Sequence, residues 1–217
     1  LKVFLAVYLL SFASEFSGTS WGLPFGHYEY TDLLGYKIGG KVPWLIPMSW
    51  FFMGAASYRL TLSILGPAAM VNRPFAVLSR CVLATATLLL WDVTLDPAMS
   101  QTTPFWLWEQ PGSYYGMPAI NIFGWAVTGF AIMLIFEFGW CPMRAKQCPQ
   151  QFASSLYATN LILPLGLLAA VGAWTPLFLT LGMGLALLQL GRLISQWFVP
   201  RERSLSVPRE SAPRILP

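Results

Sequence analysis

Apolar residues run in six long stretches, each near the ~20 residues a helix needs to cross a hydrocarbon layer. They cover residues 1–17, 43–65, 77–95, 118–138, 153–173 and 175–198. Pro43 and Pro118 open two of them, at a position where a missing N–H is tolerated. Asp96-Pro97 is expected to stop the third stretch, because the residue before a proline disfavours helix. Pro164 predicts a kink in the fifth, and Pro200 ends the sixth. Segments 18–42 and 96–117 are long and rich in glycine, proline and aromatic residues, whereas the other connections are short. No internal repeat or low-complexity stretch interrupts the pattern. The expected fold class is all-α, a polytopic membrane helix bundle of about six transmembrane helices. It forms one transmembrane helical domain over 1–198, followed by a basic cytoplasmic C-terminal tail over 199–217.

Composition supports this reading. The chain is 56% hydrophobic and 10% charged, with mean hydropathy +0.58, against ~25% charged residues in a soluble domain. The net charge of +4 comes largely from Arg201, Arg203, Arg209 and Arg214. Such a tail suits anionic lipid rather than nucleic acid. Membrane lipid is therefore an expected partner, nucleic acid is not, and other membrane proteins are possible partners. The chain begins at Leu1, already apolar and without Met, so residues ahead of it are expected. Arg73, Arg80, Arg144, Lys146 and the tail arginines fall on one side of the six spans, which predicts cytoplasmic termini. Lys37 and Lys41 run against that bias. Both long loops then cover the outer face.

The acidic residues change the picture most. Seven of the nine acids, Glu15, Glu29, Asp32, Asp92, Asp96, Glu109 and Glu137, lie inside or at the ends of apolar segments. A charge buried in lipid costs several kcal/mol. Asp92 and Asp96 are four residues apart and share a helix face. Two carboxyls held close in apolar surroundings cannot both ionise cheaply, so one keeps its proton, giving an acid beside a base. Glu15 ends the first span at the same side and could face them, or else be an interfacial acid reaching water. Glu137 is expected to pair structurally with Arg59, Arg80 or Arg144. Trp91, Trp106, Trp108, Tyr114, Tyr115 and Trp125 crowd the acidic side, either as an interfacial belt or as π faces around a conjugated or cationic group. Gly124, Gly129, Gly182 and Gly184 read as close-packing positions between helices.

Other chemistries find little support. His27 is the single histidine, so histidine clusters for iron are impossible, and no Glu-x-x-His spacing suggests a carboxylate metal site. His27 reads first as an interfacial hydrogen-bonding residue. Cys81 sits in an apolar run, and Cys141 and Cys148 share a loop without a histidine, so zinc ligation is not expected. There is no phosphate-cradling loop, dinucleotide fingerprint or nucleophile elbow. Neither a metal nor a cofactor is expected.

Three stretches carry a resemblance. The first is Glu15-Phe-Ser-Gly-Thr-Ser, followed by Pro24-Phe25-Gly26-His27-Tyr28-Glu29-Tyr30-Thr31 and Leu34-Gly35. The second is Trp91-Asp92-Val-Thr-Leu-Asp96-Pro97-Ala-Met. The third is Trp106-Leu-Trp108, Gly112-Ser-Tyr114-Tyr115-Gly116-Met-Pro118 and Asn121-Ile-Phe-Gly124-Trp125. In this order, over about residues 12–125, they resemble the CruF-type carotenoid 1,2-hydratases, which include γ-carotene 1′-hydratases and bisanhydrobacterioruberin hydratases. The resemblance implies a carotenoid biosynthesis enzyme of a bacterial or archaeal cytoplasmic or photosynthetic membrane. It implies a cofactor-independent hydro-lyase with a carotenoid substrate, adding water across the terminal 1,2 double bond of an acyclic ψ-end to give a tertiary alcohol. Asp92, Asp96 and Glu15 are the expected catalytic residues: Asp92 as acid, Asp96 or Glu15 to stabilise the carbocation and orient water. Trp91, Trp108, Glu109, Tyr114, Tyr115, Asn121 and His27 are the expected substrate-binding residues. Three alternatives stand beside this. A non-catalytic carotenoid- or pigment-binding subunit of a larger membrane complex would use the same aromatics. A proton-coupled transporter would prefer inverted repeats, and a prenyl-type transferase would need a second aspartate motif.

Overall fold

The computed structural model describes residues 1–198, and the basic tail expected at 199–217 lies outside the described residues. The elements in order are α1 (Lys2–Trp21), β1 (Tyr28–Tyr30), β2 (Lys37–Ile38), β3 (Val42–Pro43), α2 (Leu45–Leu65), α3 (Pro74–Gln101), β4 (Trp106–Trp108), α4 (Ala119–Gly139), α5 (Cys141–Ala145), α6 (Gln150–Ala170) and α7 (Trp174–Phe198). The all-α membrane bundle is as expected. Helices α1, α3, α4, α6 and α7 are long and apolar enough to cross a membrane. Helix α2 has the length, 21 residues, but not the hydropathy. It packs against α1, α3, α4, α6 and α7 at once and buries Ser57, Arg59 and Thr61. A helix walled by protein has little lipid to satisfy, so its sequence can be more polar.

Two expectations about the spans are corrected. The third does not stop at Asp96-Pro97, because α3 continues to Gln101 with Pro97 inside it. The physical reason lies in the loop beyond. A helical proline offers no N–H to the carbonyl four residues back, here that of Val93. The Tyr114 hydroxyl donates to that carbonyl at 2.9 Å. Helix α6 repeats the device: Pro164 lies inside it and leaves the Asn160 carbonyl without its helical donor. The Trp91 indole N–H of α3 donates there at 3.1 Å.

The second is at Pro43, which does not open a helix: it pairs with Lys37 between β2 and β3, and α2 begins at Leu45, so the long loops hold strands of their own. Tyr28–Tyr30 and Trp106–Trp108 pair antiparallel, with Tyr28 opposite Trp108 and Tyr30 opposite Trp106. Thr31 N–H to Phe105 O (2.9 Å) and Glu109 N–H to His27 O (3.1 Å) extend the ladder at both ends. Side chains alternate along a strand, so Tyr28, Tyr30 and Trp106 are buried while Glu29 and Leu107 point out.

At the opposite end of the bundle, Glu137 pairs with an arginine, as expected. Arg80 donates Nε and Nη2 to its two oxygens at 3.0 and 2.5 Å, and Tyr58 adds a hydroxyl at 2.6 Å. The remaining Arg80 nitrogen reaches the Ala69 and Val71 carbonyls, pinning the turn between α2 and α3. Arg59 instead holds the Cys148 carbonyl at 2.9 Å, and Arg144 is exposed. Close helix approaches occur at Gly54 against Phe136 and at Gly191 against Ile64. Gly182, by contrast, has nothing within 4 Å of a would-be Cβ, and at Gly184 that Cβ makes only an ordinary contact with Leu90. These two are therefore not the close-packing positions expected, because α7 lies at the bundle's edge with Leu181 and Leu185 exposed.

Candidate active site

Three carboxyls meet where the strand pair covers the ends of α1, α3 and α4. Glu15 of α1 is 4% exposed. The Tyr28 hydroxyl and the Tyr30 hydroxyl (2.7 Å) donate to its Oε2, and the Trp50 indole donates to its Oε1 at 2.7 Å. Strand alternation supplies both phenols, since Tyr28 and Tyr30 face inward around the outward Glu29. Burial, and next the charge of Glu15, hold both phenols well above their ordinary range, so they remain donors. All three contacts are donors, so both oxygens of the Glu15 carboxyl act as acceptors.

Asp96 accepts from the Asn121 side-chain amide at the start of α4, and the Trp106 indole stands beside it. Asp92, one turn back, is wholly buried, and neither of its oxygens meets a donor. The carboxyl of Asp96 is within hydrogen-bonding reach of it. Two carboxyls can share a hydrogen bond only with a proton between them.

A cavity of about 170 Å³ lies between these groups. Its polar wall includes Glu15, Asp96, Asn121 and Ser49, and its aromatic wall includes Trp50, Trp91, Trp106, Trp108 and Trp125. Trp50 and Trp125 stack at 4.0 Å between centroids, with Trp91 edge-on to Trp125 at 5.9 Å. The Trp108 indole N–H is buried without a partner. A dry cavity of ~150 Å³ holds a benzene-sized apolar group, so this one suits the end of a hydrocarbon chain. Among the described residues, no three His, Cys, Asp or Glu side chains converge as metal ligands would.

Of the residues expected at the site, Glu15, Asp96, Asn121, Trp91 and Trp108 line the cavity. Asp92 does not; it stands one layer behind Asp96. Four others lie off the cavity wall. Tyr114 is bonded to the Val93 carbonyl. Tyr115 occupies a turn with φ 50°, its carbonyl accepting from Gln101. Glu109 is exposed at the strand end. The His27 side chain is exposed, and its ring lies against Gly22, whose Cβ would come within 2.6 Å of it. Strand pairing turns these last two outward. Sequence reasoning missed Tyr28, Tyr30 and Trp50. The alternation Tyr-Glu-Tyr, opposite Trp-Leu-Trp, carried the signal for the first two; nothing marked Trp50 within its span.

The chain belongs to the carotenoid biosynthesis protein family, whose profile matches residues 1–187. It is 32% identical over 192 residues to bisanhydrobacterioruberin hydratase of Haloarcula japonica, an alignment covering 80% of this chain and 63% of that relative. The chain thus spans a little under two thirds of the curated relative it matches. No solved structure matches it.

Proposed function

We propose that this membrane protein hydrates the terminal double bond of an acyclic carotenoid end, giving a tertiary alcohol. The observation that carries the reading is the dyad of Asp92 and Asp96 facing Glu15 across an aromatic cavity of end-group size. The hydratase relative supports the same substrate class.

The dyad holds one proton. Asp96 delivers it to the inner alkene carbon, because Asp96, not Asp92, lines the cavity. The π electrons form the new C–H bond, and the dimethyl carbon becomes a tertiary cation. Ionised Glu15, with its charge shared among three donors, stabilises that cation, and the indole faces add cation–π attraction. Water then adds through its oxygen, which the free Trp108 N–H can hold, and its proton returns to the dyad. Asp92 acts through Asp96: two adjacent carboxyls in a dry site cannot both ionise cheaply, so the second carboxyl keeps the shared proton on the pair until the alkene takes it. Asn121 fixes which Asp96 oxygen faces Asp92 and which faces the substrate.

Expression in cells that make lycopene or γ-carotene tests the proposal. The expected result is the 1-hydroxy product, reduced by about 10²-fold or more in Asp96→Asn, the scale of one positioned acid. Stable, folded wild-type protein that retains pigment but yields no hydroxylated product would instead support the pigment-binding subunit.

A further inference from the structure

The acid cavity is sealed over most of its wall. Of the residues that line it, only Leu34, Ile46, Ser49, Leu95, Phe105 and Trp108 are partly exposed, and the rest are buried. Trp108 stands at the far end of the strand pair, with its indole N–H buried. The other five come together from three places. Ile46 and Ser49, three residues apart, share a face of the first turn of α2. Leu95 is the one residue from Leu90 to Met99 of α3 that is not buried. Leu34, in the single turn Asp32–Leu34 after β1, and Phe105 lie at the end of the strand pair where Thr31 N–H and Thr31 Oγ1 bond the Phe105 carbonyl at 2.9 and 3.2 Å. Together they frame a mouth between α2 and α3, beneath the strand pair.

The rim of this mouth is apolar. Leu33, Tyr36, Trp44 and Leu45 are all exposed, and Trp44 N–H to Tyr36 O at 3.3 Å closes the base of the β2–β3 hairpin. The two lysines of the hairpin turn back onto the protein. Lys37 Nζ meets the Tyr30 carbonyl at 2.6 Å and Asp32 at 2.8 Å, and Lys41 Nζ meets the Ser20 hydroxyl at 2.9 Å. Large apolar side chains grouped on a surface are costly in water, and tryptophan and tyrosine among them suit the boundary of a bilayer.

We propose that this mouth opens sideways into the membrane and that the hydrocarbon directly behind the reacting end lies in it, between Ile46 and Ser49 of α2 and Leu95 of α3. This rests on the hydration reading for what the end becomes, not for where the hydrocarbon lies. The cavity of about 170 Å³ takes only an end group, so the remainder of a long isoprenoid leaves through the part of the wall that is not sealed. The path is continuous, because the mouth residues line the same cavity as Glu15 and Asp96. Entry from lipid also spares the hydrocarbon a passage through water.

Cysteine labelling in proteoliposomes tests the proposal. Leu34→Cys and Ile46→Cys mark the mouth. Glu29→Cys, exposed on the outward face of β1, is the control. In all three the exposed Cys141 and the half-buried Cys148 are replaced by serine. A fluorescent maleimide at either mouth site is expected to be quenched by lipids with brominated acyl chains, and at the control site by aqueous iodide. Lycopene in the bilayer is expected to slow maleimide reaction at both mouth sites by about tenfold, as for a ligand at about ten times its Kd, and to leave Glu29→Cys unchanged. Quenching of both mouth sites by iodide and not by the brominated lipid would put the mouth in water and overturn the proposal. Absence of protection by lycopene, or equal slowing at Glu29→Cys, would overturn it too. Protection needs no turnover. Protected mouth sites in a protein that forms no alcohol would leave the mouth standing and end the hydration reading, whereas alcohol formed without protection would do the reverse.

Discussion

The Tyr114 hydroxyl donates to the Val93 carbonyl at 2.9 Å, the acceptor that Pro97 leaves without a helical N–H. The bond lets α3 pass Asp96 without breaking and ties the loop after β4 to the turn that carries both aspartates. Tyr114→Phe leaves a buried carbonyl unpaired, at a cost of about 1–3 kcal/mol. Pro97→Ala restores a backbone donor, so the double variant should lose less than Tyr114→Phe alone. Thermal unfolding in detergent of the four proteins of this cycle gives the coupling; strictly additive losses would mean that the tyrosine does not replace the proline's missing bond.

Trp91 has the same relation to Asn160 and Pro164, but it also lines the cavity. Trp91→Phe is therefore expected to lower both stability, by about 1–3 kcal/mol, and turnover. Adding Pro164→Ala should recover the stability without recovering the turnover. Recovery of both would reduce Trp91 to a structural residue.

Glu137 lies far from the cavity, and Arg80, Tyr58 and the α2–α3 turn depend on it. Glu137→Gln removes one partner of a buried ion pair, a class of change costing about 3–5 kcal/mol. The expected outcome is a much lower unfolding midpoint, with unchanged KM in the fraction that remains folded. A changed KM at normal stability would contradict this assignment.

Burial and the charge of Glu15 raise the Tyr28 and Tyr30 phenols well above 10.0. In the unfolded chain these phenols ionise near pH 10, while the folded protein keeps them protonated, so the unfolded state binds fewer protons there. Their stabilising contribution is complete below pH 10 and falls as pH rises beyond it. Unfolding midpoints in detergent should decline above about pH 10 in wild type and decline less in Tyr28→Phe, Tyr30→Phe. Identical alkaline profiles would contradict the buried phenol ring around Glu15.

Helix number and the acidic face were legible in the sequence because lipid punishes polar residues in long runs, and Glu15, Asp92 and Asp96 stood out against that background. The end of α3 was misread because local rules treat Asp96-Pro97 as a stop, and only a tyrosine seventeen residues downstream of Pro97 repairs the helix. Long-range pairing also hid the strands: Tyr28–Tyr30 become β only against Trp106–Trp108. That same pairing moved His27 and Glu109 outward and brought Tyr28 and Tyr30 in. Trp50 was invisible as a Glu15 partner, since one aromatic in an apolar span has no periodic mark. The layering of Asp92 behind Asp96 likewise depends on how α3 and α4 meet, which four-residue spacing does not specify.

The central claim is that the oxygen of the product comes from water. Purified protein given a ψ-ended carotenoid in water labelled with heavy oxygen tests it most directly, with mass spectrometry of the tertiary alcohol as the readout. One heavy oxygen is expected at every new hydroxyl, with labelled product falling by about 10²-fold or more in Asp96→Asn. A hydroxyl whose oxygen is unlabelled, or comes from molecular oxygen, would contradict it.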